Sequence, residues 1–207
     1  MEIITDIEQG SEEWLNLRMG WITASKFKDV ISNGRGGNPS KTRLSYMYQL
    51  AAEALSNERV EGFTNEYMEW GTATEPQARA MYEFDSGNET SEVAFIKWNN
   101  SNKIGISPDG LIGDNGGLEI KCPKTTTQIE TYLSGKMPST HKPQVQGSMW
   151  VTGRDWWDFV SFDPRIDGAA GYFCVRVERD EKYIKELEEK CLAFEYELLE
   201  IIKKLKG

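Results

Sequence analysis

Two alternating apolar segments flank the glycine-rich stretch Gly113-Asp-Asn-Gly-Gly117, a pattern that predicts a β-hairpin. Further strands are predicted at residues 91–98, 103–106, 117–121, 155–162 and 172–178, with helices at 125–134 and 142–151 between them. From residue 180 to 206 the apolar positions Ile184, Leu187, Cys191, Phe194, Leu198 and Ile202 recur at helical spacing, which predicts one long amphipathic helix. The first part of the chain reads as helical. Ser11 followed by Glu12 and Glu13 predicts a short capped helix ending at Arg18, and residues 23–25 offer a cap for a second helix over 26–32. Ser40 predicts the start of a longer helix to about residue 55, its buried stripe being Leu44, Met47, Tyr48 and Ala51. A further helix is expected over about 65–84, where Pro76 either starts it or kinks it. Helices, then a strand cluster, then helices and strands again imply an α/β domain with its sheet flanked by helices. No linker divides the chain, so residues 1–207 are expected to form one domain, helical to about residue 86 and strand-rich from about 87.

The hairpin matters because of what it carries. Ten positions separate Asp109, in Gly105-Ile-Ser-Pro-Asp109, from Glu119 in Leu118-Glu-Ile-Lys121. Folding at the glycine-rich turn brings these two acids together on adjacent strands. Period two then places Glu119 and Lys121 on one face and turns Ile120 into a core. Two carboxylates and an ammonium in one place repel or pair at a cost that a divalent ion would relieve. The alternative is a solvated hairpin whose Glu119–Lys121 pair contributes about 0–1 kcal/mol.

Composition narrows the chemistry. The chain has 207 residues, 39% of them hydrophobic, enough for one sizeable core. Its single histidine, His141, excludes histidine-rich zinc sites and His-Asn-His nuclease chemistry, so any metal is held by oxygen, which favours Mg²⁺ or Mn²⁺. Three cysteines without a Cys-x-x-Cys pair suit a reducing cytoplasm, and no apolar run is long enough to span a membrane. The acidic start of the chain is unlike a signal peptide. A net charge of −9 speaks against nucleic acid, but residues 18–43 carry a local excess of +5. That polarisation can draw a phosphate backbone to one surface, or it is a solvated basic face. Arg18 ends one helix as the next begins near Ser25, which could make an anion site, or a plain helical corner with Arg18 in water. The loop over residues 32–40 is glycine-rich and basic, as suits a segment that moves around a ligand.

Seven blocks of the chain, in order, resemble the phage lambda-type alkaline exonucleases and YqaJ viral recombinases of the PD-(D/E)xK nuclease superfamily. They are Leu17-Arg-Met-Gly-Trp-Ile-Thr-Ala-Ser25, Trp70-Gly-Thr-Ala-Thr-Glu75, Ser107-Pro-Asp-Gly-Leu111, Gly117-Leu-Glu-Ile-Lys-Cys-Pro123, Gln144-Val-Gln-Gly-Ser-Met-Trp-Val-Thr152, Phe162-Asp-Pro-Arg165 and Val177-Glu-Arg-Asp-Glu-Lys-Tyr183. The resemblance implies a central mixed β-sheet flanked by helices, the restriction endonuclease-like fold. It also implies a toroidal homotrimer that digests one strand of linear duplex DNA from the 5′ end to mononucleotides. The 3′ strand left behind would be loaded with a phage single-strand annealing protein in the bacterial cytoplasm. By position, Asp109, Glu119 and the Ile120 carbonyl would hold one metal ion and Glu75 would serve a second, while Lys121 orients and helps deprotonate the attacking water. Arg18, Ser25, Ser107 and Gln144 would hold the 5′-terminal phosphate, and Met68 would be the wedge that splits the duplex end. Departures from the family lie around Glu75, where Pro76 follows, and between residues 125 and 143.

Two other readings compete. A sequence-specific endonuclease of the same superfamily would need groove-reading elements beyond this short chain. A silent DNA-binding scaffold would be expected to lack one of the acids or the lysine, and all are present.

Overall fold

The computed structural model describes residues 1–60, 66–101 and 103–207. In chain order the elements are β1 (Glu2–Ile4), α1 (Glu12–Leu17), β2 (Ile22–Thr23), α2 (Phe27–Val30), α3 (Lys41–Ser56), α4 (Glu66–Ser86), β3 (Phe95–Lys97), β4 (Ile104–Ile106), β5 (Gly110–Ile112), β6 (Gly116–Lys121), α5 (Thr125–Ser134), α6 (Lys142–Thr152), β7 (Trp156–Phe162), β8 (Tyr172–Glu178) and α7 (Glu181–Lys206). The strands form two four-stranded mixed sheets, ordered β1-β3-β4-β2 and β5-β6-β7-β8. β2 runs parallel to β4 in the first, and β6 runs parallel to β7 in the second. The crossover from β6 to β7 contains α5 and α6, as a parallel connection requires.

Two short strands, β1 and β2, lie within the stretch expected to be helical. They are three and two residues long, too short to show any alternation in the sequence. The strand expected over 91–98 is paired as β3 only at Phe95–Lys97, with an isolated bridge from Ser91 to Leu111.

The glycine run divides its work between turn and strand. Gly113 takes a positive φ of 48°, whereas Gly116 and Gly117 belong to β6 and pair in parallel with Trp156 and Trp157. A Cβ on Gly117 would lie 2.3 Å from the Trp157 ring, and one on Gly116 2.2 Å from that of Trp156. These glycines are cut to fit indole rings that lie over the sheet.

The core has two parts. One packs α3, α6 and α7 against the first sheet around Phe27, Met47, Met149 and Phe194; the other packs α4 against the second through Tyr82, Leu118 and Val160. Asp180 caps α7 by accepting from the Tyr183 N–H at 3.0 Å, and the predicted stripe on α7 is buried, with Ile202 half-buried at its end. On α3 the stripe is displaced. Tyr46, Met47, Leu50 and Ala51 are buried, while Tyr48 is 58% exposed. The reason is polar: the Tyr46 hydroxyl accepts from the Thr23 N–H at 3.3 Å and donates to the Trp21 carbonyl at 3.2 Å, so a tyrosine is tolerated inside. α4 runs without interruption through Pro76; Asn65, expected at its start, lies outside the described residues.

Candidate active site

β5 and β6 are the arms of the expected hairpin, Gly110 pairing with Leu118 and Ile112 with Gly116. Asp109, one residue ahead of β5, therefore lies beside β6, and its Oδ2 accepts from the Ile120 N–H at 2.6 Å. Glu119 and Lys121 leave the same face of β6, and the Lys121 ammonium pairs with Glu119 Oε1. Ile120 points the other way, into the core with Leu118 and Val160. Glu119 has no exposed surface, and its Oε2 has no hydrogen-bond partner among the described residues. A fully buried carboxylate oxygen without a donor is costly.

α4 brings the third acid. Arg79, one turn beyond Glu75, binds Glu75 Oε1 at 3.0 Å through one nitrogen and the backbone carbonyl of Asp109 through another. It thus fastens the α4 carboxylate to the start of the hairpin. Sequence reasoning missed Arg79, although its i,i+4 spacing from Glu75 on a helix is a legible signal.

The electrostatics follow from this crowding. Burial first, then the Asp109 charge, pushes the Glu75 carboxyl up to about 7. Burial lifts Glu119 to about 8, with Lys121 opposing and Asp109 and Glu75 adding to the rise. Asp109 is raised by burial too, held back by Lys121, the Ile120 N–H, Arg79 and Arg18. Burial pulls Lys121 down, but Glu119, Asp109 and Glu75 outweigh it and hold the ammonium above the ordinary lysine range.

Among the described residues no three carboxylate, imidazole or thiol groups stand close enough to enclose an ion by themselves. Lys121 occupies one side of Glu119, and the Ile120 N–H occupies one oxygen of Asp109. The donor set nonetheless fits a hard cation that keeps much of its water: oxygen ligands only, excess negative charge, and a buried Oε2 lacking any other partner among the described residues.

Beside these acids lie the residues expected to hold an anion. Arg18 follows α1, its guanidinium 4.0 Å over the Trp14 ring, with Nε buried and unpartnered among the described residues. Burial lowers it to about 10, opposed by Tyr46 and by Asp109. The Trp14 indole donates to the Ala94 carbonyl at 2.9 Å and to Ser107 Oγ at 3.2 Å, so Arg18 and Ser107 share one platform. Ser25 and Gln144 share another place, a cavity of about 20 Å³ lined also by Ala24, Lys28, Thr140 and His141. Ser25 follows β2 and Ser107 follows β4, and these strands are parallel neighbours, so both hydroxyls stand at the same end of the pair. The cap expected at residues 23–25 is instead a 3₁₀ turn, Ala24–Lys26, with no side-chain cap; α2 beyond it is only four residues long. The Thr23 and Ser25 hydroxyls pair with each other at 3.3 Å. From Ser107 the chain reaches Asp109 through Pro108 alone, and Gln9 grips that link by donating to the Pro108 carbonyl at 2.9 Å. Met68 falls in α4, but its side chain lies outside the described residues. The loop over 32–40 is tied across its base by a Ser32–Ser40 hydroxyl contact and an Asn33–Pro39 bridge.

Mixed sheets flanked by helices, with two acids and a lysine on one hairpin, define a nuclease of the PD-(D/E)xK fold. The chain matches the YqaJ-like viral recombinase domain over residues 13–155 and belongs to that family. The alkaline exonuclease LHK-Exo of Laribacter hongkongensis is 41% identical, over 95% of this chain and 96% of its own, with a TM-score of 0.87. The same enzyme in complex with dAMP superposes with a TM-score of 0.88. A phage-related exonuclease from Haemophilus somnus 129PT shares the fold at 18% identity and a TM-score of 0.67, over 92% of this chain and 99% of its own. A curated Escherichia coli K12 protein named ExoD is 43% identical over 51 residues, 25% of this chain and 58% of ExoD.

Proposed function

We propose that the protein is a metal-dependent 5′→3′ exonuclease that digests one strand of linear double-stranded DNA to mononucleotides, leaving 3′ overhangs for phage recombination. The observation that carries this reading is the buried Glu119 carboxylate, its Oε2 unpartnered among the described residues, beside Asp109, Glu75 and the Lys121 ammonium. Support comes also from LHK-Exo, whose structure with dAMP holds a nucleotide of the class such digestion would release.

In this reading Asp109, Glu119 and the Ile120 carbonyl hold one Mg²⁺ or Mn²⁺ ion, and Glu75, steadied by Arg79, serves a second. Such a pair of ions supplies an activated water and a clamp on the leaving oxygen. The chain's own residues do the rest. Asp109 is pinned by the Ile120 N–H and, through its carbonyl, by Arg79, so the carboxylates are set before substrate arrives. Lys121, surrounded by acids, is an ammonium that orients the attacking water; positive charge entering the cluster weakens its hold on the proton. Arg18, Ser25, Ser107 and Gln144 grip the 5′-terminal phosphate, and Met68 wedges the duplex end. A homotrimeric ring keeps the enzyme on DNA of any sequence by backbone contacts alone. The annealing-protein partner and the bacterial cytoplasm as place of action complete the proposal.

The test is release of acid-soluble nucleotides from linear and from closed circular duplex, with Mg²⁺ and with chelator. Mononucleotides from linear duplex alone, abolished by chelator, are expected. Nicking or linearisation of the circle would mean an endonuclease, and no cleavage of either would mean a silent binder.

A further inference from the structure

Of the four lining residues of the Ser25–Gln144 cavity that the phosphate set does not include, two carry a nitrogen donor on the side chain, Lys28 and His141. Lys28 lies on α2, exposed, and forms no ion pair among the described residues. The His141 ring stacks on Phe159, centroids 5.3 Å apart and planes at 30°, which fixes its plane. Burial first, then the Lys121 and Lys28 ammonium groups, pushes His141 down to about 4, so it is a neutral imidazole with one N–H to give. Ala24, Thr140 and Gln144 complete the wall, and among the described residues the one hydrogen bond that Ser25 makes through its side chain is to Thr23. Several donors with capacity to spare therefore surround a space of about 20 Å³, room for about one oxygen-sized group.

A terminal phosphomonoester has three non-bridging oxygens, while an internal diester has two, each of its other oxygens carrying a carbon. We propose that Lys28 and His141, with Ser25 and Gln144, form a nook that takes the third non-bridging oxygen of a 5′-terminal phosphate and so distinguishes a chain end from an internal phosphodiester. This rests on the exonuclease reading above, and deepens it. The nook admits an oxygen and excludes an oxygen bearing carbon. Lys28 supplies the charge that a dianion rewards, and His141 supplies a fixed donor between the nook and the Lys121 side of the site. Arg18 stays on the Trp14 platform for the remaining oxygens.

The experiment compares initial digestion rates of one linear duplex carrying a 5′-phosphate, a 5′-phosphate methyl ester or a 5′-hydroxyl, at fixed salt. Wild type, Lys28→Ala, His141→Phe and Lys26→Ala are measured. His141→Phe preserves an aromatic stack on Phe159, and Lys26→Ala removes an equal charge from a residue that pairs with Asp29 instead of lining the nook. The expected result is that the monoester-to-methyl-ester rate ratio falls about tenfold in Lys28→Ala and in His141→Phe, and holds in Lys26→Ala. Unchanged ratios in both nook variants would overturn the inference, as would an equal fall in Lys26→Ala. A wild type that digests linear duplex without distinguishing monoester from methyl ester would also overturn it while leaving the exonuclease reading standing. A wild type that digests no linear duplex would fell the reading on which it rests.

Discussion

Removing the charge of Glu119 should stabilise the metal-free protein, and the gain should grow with pH. The carboxyl is wholly buried, and its pKa rises from 4.5 to about 8 on folding. A carboxyl that binds its proton more tightly when folded favours the fold below pH 4.5, and that advantage is lost as pH climbs to about 8. At roughly 1.4 kcal/mol per unit, the shift corresponds to an upper bound of about 5 kcal/mol. Glu119→Gln keeps the shape and removes the charge, but it also deprives Lys121 of its partner, so about 2 kcal/mol is the realistic gain above pH 8. For a chain of this size that is a rise in Tm of about 4–8 °C. Lys121 does not interfere, because its folded pKa is raised and it stays charged throughout the window. Thermal melts of wild type and Glu119→Gln in chelator from pH 4.5 to 8.5 should therefore start together and diverge. Added Mg²⁺ should then stabilise wild type more than the variant. Parallel melting curves across that range, or an equal Mg²⁺ effect on both proteins, would refute the argument that Glu119 is a strained carboxylate awaiting a cation.

Asp109→Ala and Lys121→Ala should each abolish nucleotide release while circular dichroism stays native; near-normal digestion by either would place the chemistry elsewhere. Arg18→Ala should slow digestion of 5′-phosphorylated duplex by about 10²-fold and of 5′-hydroxyl duplex much less, whereas an equal loss on both would make Arg18 an ordinary backbone contact. Gly117→Ala should destabilise by about 1–3 kcal/mol, seen in urea melts, because the added Cβ meets the Trp157 ring at 2.3 Å. Native mass measurement should find three 23.6 kDa chains per particle, and monomer alone at working concentration would remove the ring as the basis of processivity.

How much of this could be read in the sequence depended on how much each feature owes to its neighbours in the chain. The Asp109–Glu119–Lys121 placement was legible because a hairpin with a strong turn fixes register locally, and period two does the rest. Both ends of α5 and the stripe of α7 were legible for the same kind of reason. β1 and β2 were not, since strands so short exist only through pairing with β3 and β4, which come some ninety residues later for β1 and eighty for β2. The wrong tyrosine on α3 has the same origin: the Tyr46 hydroxyl is satisfied by backbone around β2, a partner no periodicity reveals. Gly116 looked like a turn residue because glycine signals turns, and the reason why it and Gly117 are small lies in two tryptophans forty residues away. Arg79 was passed over because its second partner, the Asp109 carbonyl, is backbone.

Pro108 stands between Ser107, a proposed grip on the DNA end, and Asp109, a proposed part of the blade. Those two duties are joined by about 7 Å of chain at full extension, with a ring-locked residue in the middle and Gln9 clamped to its carbonyl. On the proposed roles, the interval between the held end and the cut bond is bounded by that short, ring-stiffened stretch of backbone. An enzyme built on this plan can be given a different grip or a different blade by point substitution. To bite off a longer piece it would need an added residue at position 108, and that insertion would shift Asp109 out of register with Ile120 in the same stroke.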